Sequence, residues 1–187
     1  TDIVSGLGKS YGVEVLLKKK TGKLNGWISY TYSRAMIKVD SEYLSETINQ
    51  GEFYPASYDK PHSLNVLSNW KFSRRLSLSG NLSYSTGRPI TFPIAKYYYI
   101  GTERLHYSER NQFRIPDYFR LDLSLNVEGN HKVKKLNHSS WTFAVYNITG
   151  RDNAYSIYFV SEDGKVKGYQ LSIFANAIPT ITYNFRF

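Results

Sequence analysis

The residues nearest to a catalytic arrangement are His62, Ser63 and Asn65, which occur together in the segment HSLN. A serine hydrolase needs a serine nucleophile, a histidine base and a polar group that orients the base. If this segment is a strand, neighbouring side chains point to opposite faces, so Ser63 faces away from His62 and the two cannot share a hydrogen bond. We therefore expect no catalytic residues, and the chain is predicted not to be an enzyme.

Metal ligation has equally little support in the sequence. No two histidines have the spacing of metal ligands, the four being His62, His106, His131 and His138. The acidic residues Asp40, Glu42 and Glu46 lack the alternating oxygen ligands and the glycine of a calcium-binding loop. A solvated acidic loop explains them, and we expect neither a bound metal nor another cofactor.

One group of side chains has the chemistry of a ligand-binding surface. Three consecutive tyrosines lie in a basic segment, and the group comprises Lys96, Tyr97, Tyr98, Tyr99 and Arg104. Tyrosine rings next to lysine or arginine suit an aromatic, anionic or sugar-like ligand. The alternative is that the tyrosines extend a strand upwards and pack on a neighbouring loop.

The composition places these residues in an all-β context. The 187 residues include 17 tyrosines and no cysteine, and the net charge is +9. No run of about 18 apolar residues exists, which excludes a transmembrane helix but not a membrane barrel, whose strands show only alternation. The absence of cysteine is compatible with an extracytoplasmic bacterial protein.

Alternation of apolar and polar residues with a period of two recurs along the chain and predicts about seven β-strands. The sixth predicted strand is interrupted at residues 150–153 and continues as AYSIYFV. The seventh predicted strand also consists of two segments. The seven segments are YGVEVLL, LNGWISYTYSRA, LNVLSNWKF, LSLSGNLSYS, FRLDLSLNV, WTFAVYNIT, and GYQLSIF with the terminal PTITYNFRF.

Short and long connections alternate between these strands. A tight turn KTGK and the turn at Arg74–Arg75 contrast with long loops over residues 36–60 and 88–116. This alternation predicts an antiparallel up-and-down barrel of an outer membrane, and strands of about 9–11 residues fit it. The polar faces, with Arg120, Asp122 and Asn126, would face a lumen, and the apolar faces would face lipid. An aromatic girdle is expected near the strand ends, at Trp27, Trp70 and Trp141.

The positive charge is concentrated in the short turns. Ten cations lie there, namely Lys18, Lys19, Lys20, Lys23, Lys71, Arg74, Arg75, Lys132, Lys134 and Lys135. The first long loop is acidic and the second is basic. We interpret the short-turn cations as a collar against anionic lipid headgroups. Nucleic-acid binding is not expected, because basic and aromatic residues do not share one surface.

The last strand ends in apolar and aromatic residues at every second position, which are Ile181, Tyr183, Phe185 and Phe187. It resembles the terminal signal of bacterial outer-membrane barrels, which the barrel assembly machinery reads as a free strand added to a sheet edge. The segments FYPASYDKPHSLNV, YSERNQFRIPDYFRLDLSL and WTFAVYNITGRDNAYSIYF are similar to the rear barrel of TonB-dependent outer-membrane receptors, particularly those of Bacteroidetes.

The resemblance implies energised import across the bacterial outer membrane. Receptors of this family have a barrel of about 22 strands around an N-terminal plug, and a TonB protein opens the path for a siderophore, vitamin, glycan or peptide. Residues 1–187 would then be a C-terminal barrel segment without the plug and the earlier strands. The expected partners are those missing parts, TonB, the barrel assembly machinery, outer-membrane lipid and a surface lipoprotein.

One alternative remains open from the residues alone. The same strands could form a soluble β-sandwich, or a surface module that binds or scaffolds a partner without transport. The difference lies in residues such as Leu121, Leu123 and Leu125. In a barrel they contact lipid, whereas in a sandwich they are sealed in a core.

Overall fold

The computed structural model describes residues 4–129, 138–162, 165–173 and 175–186, and it is built almost wholly of antiparallel strands. Among these residues a single 3₁₀ turn, at Asn49–Gly51, interrupts the strands. Among the described residues no helix is long and apolar enough to cross a membrane. The strands are β1 (Leu7–Lys19), β2 (Leu24–Lys38), β3 (Tyr54–Pro55), β4 (His62–Lys71), β5 (Leu76–Ser85), β6 (Pro89–Ile90), β7 (Pro93–Tyr99), β8 (Thr102–Tyr107), β9 (Phe113–Arg114), β10 (Tyr118–Glu128), β11 (His138–Tyr146), β12 (Ala154–Glu162), β13 (Lys165–Ser172) and β14 (Ile178–Arg186).

Seven long strands form one sheet in chain order, β1-β2-β4-β5-β10-β11-β14, and the two-residue β3 pairs with β2 at one end. All pairings between these strands are antiparallel. This is the meander of an up-and-down barrel wall, and it confirms the predicted all-β fold of about seven strands. Within the described residues the sheet is open, because β1 and β14 do not pair with each other.

The sixth and seventh predicted strands divide more completely than the sequence indicated. β11 ends at Tyr146 and β14 begins at Ile178, while β12 and β13 between them pair as a separate two-stranded sheet. The break falls at Asn147, which is fully buried and has a φ of 50°, a left-handed value that asparagine tolerates better than most residues. The interruption is therefore a corner between wall and loop hairpin, and not a bulge within one strand.

The register of the sheet places the apolar residues on one face. Tyr84 lies opposite Leu64 and Phe119, and Leu82 lies opposite Val66 and Leu121. The same face continues to the last strand through Leu125, Phe143 and Ile181. Along β5 the apolar row runs from Leu76 to Tyr84, about 26 Å at 3.3 Å per residue. A membrane barrel needs an apolar band of about 25 Å.

The opposite face carries small polar residues and charges. Asn65, Ser83 and Arg120 are cross-strand neighbours there, as are Asn81 and Asp122. Arg120 donates from Nε and Nη2 to both carboxylate oxygens of Asp122 at 2.7–3.0 Å. The predicted lumen-facing positions of these residues therefore agree with the register.

No second layer covers the apolar face in the described part of the chain. The only buried hydrophobic residues there are Val39, Tyr54, Ala56 and Ile115, none of which belongs to an apolar row. Outward residues such as Ile28, Phe143 and Ile181 are 44–68% exposed. A sandwich core would bury them, so this arrangement opposes the sandwich alternative.

One member of the predicted aromatic girdle has a different position. Trp27 is paired with Lys18 and Leu67. Its side chain lies on the polar face, because successive side chains of a strand point to opposite faces and the next residue, Ile28, points outward. Trp70 and Trp141 are on the apolar face, where Trp70 contacts Phe72 and Trp141 contacts Tyr183, at ring-centroid distances of 4.5 and 4.6 Å. The girdle prediction is wrong for Trp27, since proximity to a strand end does not fix the face.

Candidate ligand-binding surface

The long connections of the main sheet all lie at one end. They span residues 39–61, 86–117 and 147–177, whereas the opposite end has turns at residues 20–23 and 72–75. Antiparallel order enforces this, because every second connection returns to the same edge. We call the three long connections the first, second and third outer loops. They contain the candidate ligand-contacting residues.

Asp59 joins the first outer loop to the second. Its side chain is fully buried, and it accepts hydrogen bonds from the Ala35 N–H at 2.7 Å and from Arg34 Nε at 3.4 Å. Arg114 Nη2 also donates to this carboxylate, and Arg114 Nη1 donates to the backbone oxygens of Asp59 and Gly87 at 2.8 and 2.9 Å. Burying a carboxylate without such partners is costly in free energy.

Two asparagines strengthen the same junction. Asn49 donates from Nδ2 to the Arg110 carbonyl at 2.9 Å and accepts the Arg110 N–H at 2.7 Å. Asn111 donates from Nδ2 to the Pro55 carbonyl at 2.8 Å. These contacts connect residues 56–61 positions apart, so the two loops form one structure.

The second outer loop is joined to the third by both polar and aromatic contacts. Arg88 Nη2 donates to the Tyr155 carbonyl at 3.1 Å, and Arg151 Nη2 donates to the Asp117 carbonyl at 3.1 Å. Phe92 meets Phe159 edge to face with ring centroids 4.8 Å apart. All three outer loops are therefore bound together near their bases.

Asp117 anchors the base of the second outer loop. Its carboxylate accepts the Gly87 N–H at 2.9 Å and the Tyr84 hydroxyl at 2.7 Å. The Gly87 N–H and then the Tyr84 hydroxyl favour the charged form, so the pKa of the Asp117 carboxyl lies below its usual value. Gly87 itself cannot be replaced easily, because a Cβ there would lie 1.8 Å from the Ile115 carbonyl oxygen.

The predicted tyrosine site lies on the hairpin of β7 and β8 in the second outer loop. Tyr97 is paired with Arg104, and Tyr99 with Thr102, so these side chains share one exposed face. Tyr98 and Lys96 lie on the other face, where the Tyr98 hydroxyl and Lys96 Nζ approach Glu103 Oε2 at 3.4 and 3.5 Å. The hairpin thus brings Tyr97, Tyr99 and Arg104 together and separates them from Lys96 and Tyr98.

The predicted assembly signal lies on β14, the edge strand of the sheet. Ile181, Tyr183 and Phe185 alternate onto the apolar face and are 48–68% exposed, while Phe187 lies outside the described residues. Tyr183 contacts Trp141 and Phe185, with ring centroids 4.6 and 6.1 Å apart. Their recognition by the assembly machinery stays a prediction.

The residues considered for catalysis and metal binding have other surroundings. His62 Nδ1 is 2.9 Å from the Tyr30 hydroxyl on the apolar face, whereas Ser63 pairs with Ser85 on the polar face. Within the described ranges no group of three or more His, Asp or Glu side chains could hold a metal ion. The segment around Asp40 includes an exposed ion pair of Asp40 with Lys38.

Sequence reasoning missed the buried polar residues that hold the outer loops. Asp59, Asn147 and Asn153 are 1–6% exposed. The Asn147 N–H donates to Asp122 at 2.9 Å, and Asn153 Oδ1 accepts the Phe119 N–H at 2.9 Å. Their positions in the sequence could have indicated this role. Each lies where an apolar run meets a loop, and tight turns favour Asp and Asn at such places.

A comparison with protein families identifies the architecture. The model described as "TonB dependent receptor-like, beta-barrel" matches residues 3–148, most of the chain. The chain belongs to the TonB-dependent receptor β-barrel family. This is a family of outer-membrane transport proteins and not of enzymes, and at that coarse level it implies a plug region and interaction with TonB. Comparisons with curated proteins and with solved structures give no match.

Proposed function

We propose that this chain forms the rear part of a larger TonB-dependent receptor barrel, which imports a scarce ligand with energy delivered through TonB. The open seven-strand sheet with one apolar and one polar face carries the proposal. An open edge is incompatible with hydrocarbon, because its backbone groups have no partners there. The remaining strands of the receptor would pair with β1 and β14.

The polar face suits a plug inside the barrel. It presents the Arg120–Asp122 pair together with Asn65, Asn81 and Asn126. Such groups remain hydrated or find partners on a folded domain, whereas in lipid they would carry a cost of several kcal/mol each. The plug would therefore lie against this face.

The outer loops supply the ligand contacts in this proposal. Tyr97, Tyr99 and Arg104 form the best part of the predicted site, because they share an open face of the β7–β8 hairpin. Lys96 and Tyr98 are engaged with Glu103 and would act by supporting the hairpin. Their aromatic and cationic side chains suit a siderophore, a vitamin, a glycan or a peptide.

Growth competition tests the proposal without knowledge of the ligand. Cells lacking the complete receptor, TonB, or both would grow under separate limitation for iron, a vitamin, a glycan or a peptide. We expect the receptor deletion to slow growth under one limitation, with no further effect in cells that already lack TonB. A receptor defect of equal size in cells with and without TonB would contradict energised import.

A further inference from the structure

A cleft of about 420 Å³ opens where the bases of the three outer loops meet. The first loop contributes Lys60, the second contributes Thr86 and Arg88, and the third contributes Tyr155. The floor includes Ser85 and Tyr118, which are cross-strand partners on the polar face of the sheet. The cleft therefore faces the lumen side of the wall at its loop end.

The charge of this cleft is one-sided. Among the described residues, two cations, Lys60 and Arg88, line it, and no Asp or Glu does. Of the three carboxylates that adjoin lining residues in sequence, Asp152 is exposed and lies outside the lining, and the other two are already engaged. Asp59 is bound by Arg34 and Arg114, and Asp117 holds the Gly87 N–H and the Tyr84 hydroxyl. Both cations are exposed, so their field extends into the cleft.

The remaining lining is aromatic and hydroxylic. Tyr155 is 63% exposed, and Tyr118 is half-buried on the floor. Exposed tyrosine rings beside cations favour a ligand with a flat or apolar body that ends in a negative group. Arg88 already donates to the Tyr155 carbonyl, which keeps its guanidinium at the cleft wall and leaves further N–H groups for an anion.

We propose that this cleft, which we name the loop-base cleft, binds the anionic end of an organic ligand, a carboxylate or phosphate attached to a ring. The proposal rests on the proposed transport function, since it places the cleft on the route from the outer loops into the lumen. Lys60 and Arg88 attract and hold the negative group, and Tyr118 and Tyr155 contact the body of the ligand. This site is separate from the exposed face of the β7–β8 hairpin.

A reporter cysteine measures the field of the loop-base cleft, because the chain contains no cysteine. Ala154→Cys places a thiol in the lining of the cleft within the complete receptor, freed of any other cysteine. Its reaction rate is compared for methanethiosulfonates carrying a sulfonate or a trimethylammonium group. We expect the anionic reagent to be favoured, and the rate ratio to fall about tenfold in Lys60→Gln/Arg88→Gln.

Matched variants separate the cleft from general surface charge. Lys165→Gln and Lys167→Gln remove cations from the β12–β13 hairpin, outside the lining of the cleft, and should leave the rate ratio unchanged. Lys60→Gln alone should lower the ratio part of the way without disturbing the Arg88–Tyr155 contact. Circular dichroism and migration of the folded barrel verify that each variant is assembled.

Protection by small probes then tests the ligand class. Benzoate should slow labelling of Ala154→Cys more than benzyl alcohol does, and this difference should disappear in Lys60→Gln/Arg88→Gln. Equal protection by the acid and the alcohol, or preference for the cationic reagent, would overturn the proposal. A thiol that reacts with neither reagent in the complete receptor would also overturn it, because another part of the protein would then fill the cleft. None of these measurements requires TonB, so they fail or succeed independently of energised import.

Discussion

Asp59 is the residue on which the junction of the first two outer loops depends. Its buried carboxylate forms ion pairs with Arg34 and Arg114, and Arg114 also donates a hydrogen bond to the Gly87 carbonyl. We expect Asp59→Asn to lower the free energy of unfolding by about 2–3 kcal/mol, below the range for a fully buried pair because both arginines keep some contact with water. Urea unfolding of the assembled receptor measures this loss.

A control within the same loop is Asp40→Asn, which removes the exposed Lys38–Asp40 pair. Its effect should stay below about 1 kcal/mol. Limited proteolysis should find new cleavage in the first and second outer loops of Asp59→Asn only. Equal effects of the two substitutions would show that the buried ion cluster has no special role.

The stability of the base of the second outer loop depends on pH through Asp117. Its pKa is lowered in the folded chain, so its contribution to stability is present above the ordinary carboxyl pKa of about 3.9 and is lost as the pH falls through the lower folded value. Melting temperatures measured from pH 7 down to pH 3 should fall more steeply for the native chain than for Asp117→Ala. Parallel curves for the two proteins would contradict this role.

Within the strands, alternation was sufficient to predict most of the wall. The apolar residues of β5 and β10 were assigned to one face from sequence, and the register confirms this assignment. Side chains alternate between the two faces of a strand, so the face of every residue is fixed once the pairing of the strands is fixed. Trp27 was assigned to the wrong face, because the prediction used its distance from a strand end and did not consider which face its side chain occupies in the alternation. The loop junction at Asp59 could not be predicted, because its partners lie up to 55 positions away and loop docking has no periodic signal.

A charge placed on the lipid face should be costly, and the same charge on the polar face should not. Leu123 lies in the middle of the apolar band, opposite Gly80, whereas Ser124 lies on the other face of β10. Leu123→Arg should lower the free energy of unfolding by about 2–4 kcal/mol and reduce the amount of folded receptor in the outer membrane. Ser124→Arg, the matched control, should change both by much less. A larger loss for Ser124→Arg would reverse the assigned faces.

At the scale of the whole molecule, positive charge is concentrated at the short-turn end. Lys18, Lys19, Lys20 and Lys23 flank the first turn, and Lys71, Arg74 and Arg75 lie at the second. The remaining predicted collar residues, Lys132, Lys134 and Lys135, lie outside the described residues. Near an anionic membrane surface each such cation contributes about 1 kcal/mol of attraction.

Replacing the four lysines of the first turn by glutamine should therefore lower the melting temperature of the receptor in anionic nanodiscs more than in zwitterionic ones. High salt should remove the difference, because it screens exposed charges. Glutamine at Lys38, Lys165 and Lys167, which belong to the loop end, provides the control. The same shift in both lipids would remove the headgroup interpretation of the collar.

In the proposed barrel, one wall separates lipid on one side from an aqueous or plug-filled lumen on the other. Single cysteines carrying a nitroxide along β10, from Arg120 to Asn126, can report contact with lipid-soluble oxygen and with a water-soluble nickel chelate in the complete, membrane-embedded receptor. We predict high oxygen contact at Leu121, Leu123 and Leu125 and low oxygen contact at the four residues between and beside them. Leucine positions closed to both reagents, or a profile without a period of two, would contradict the barrel wall.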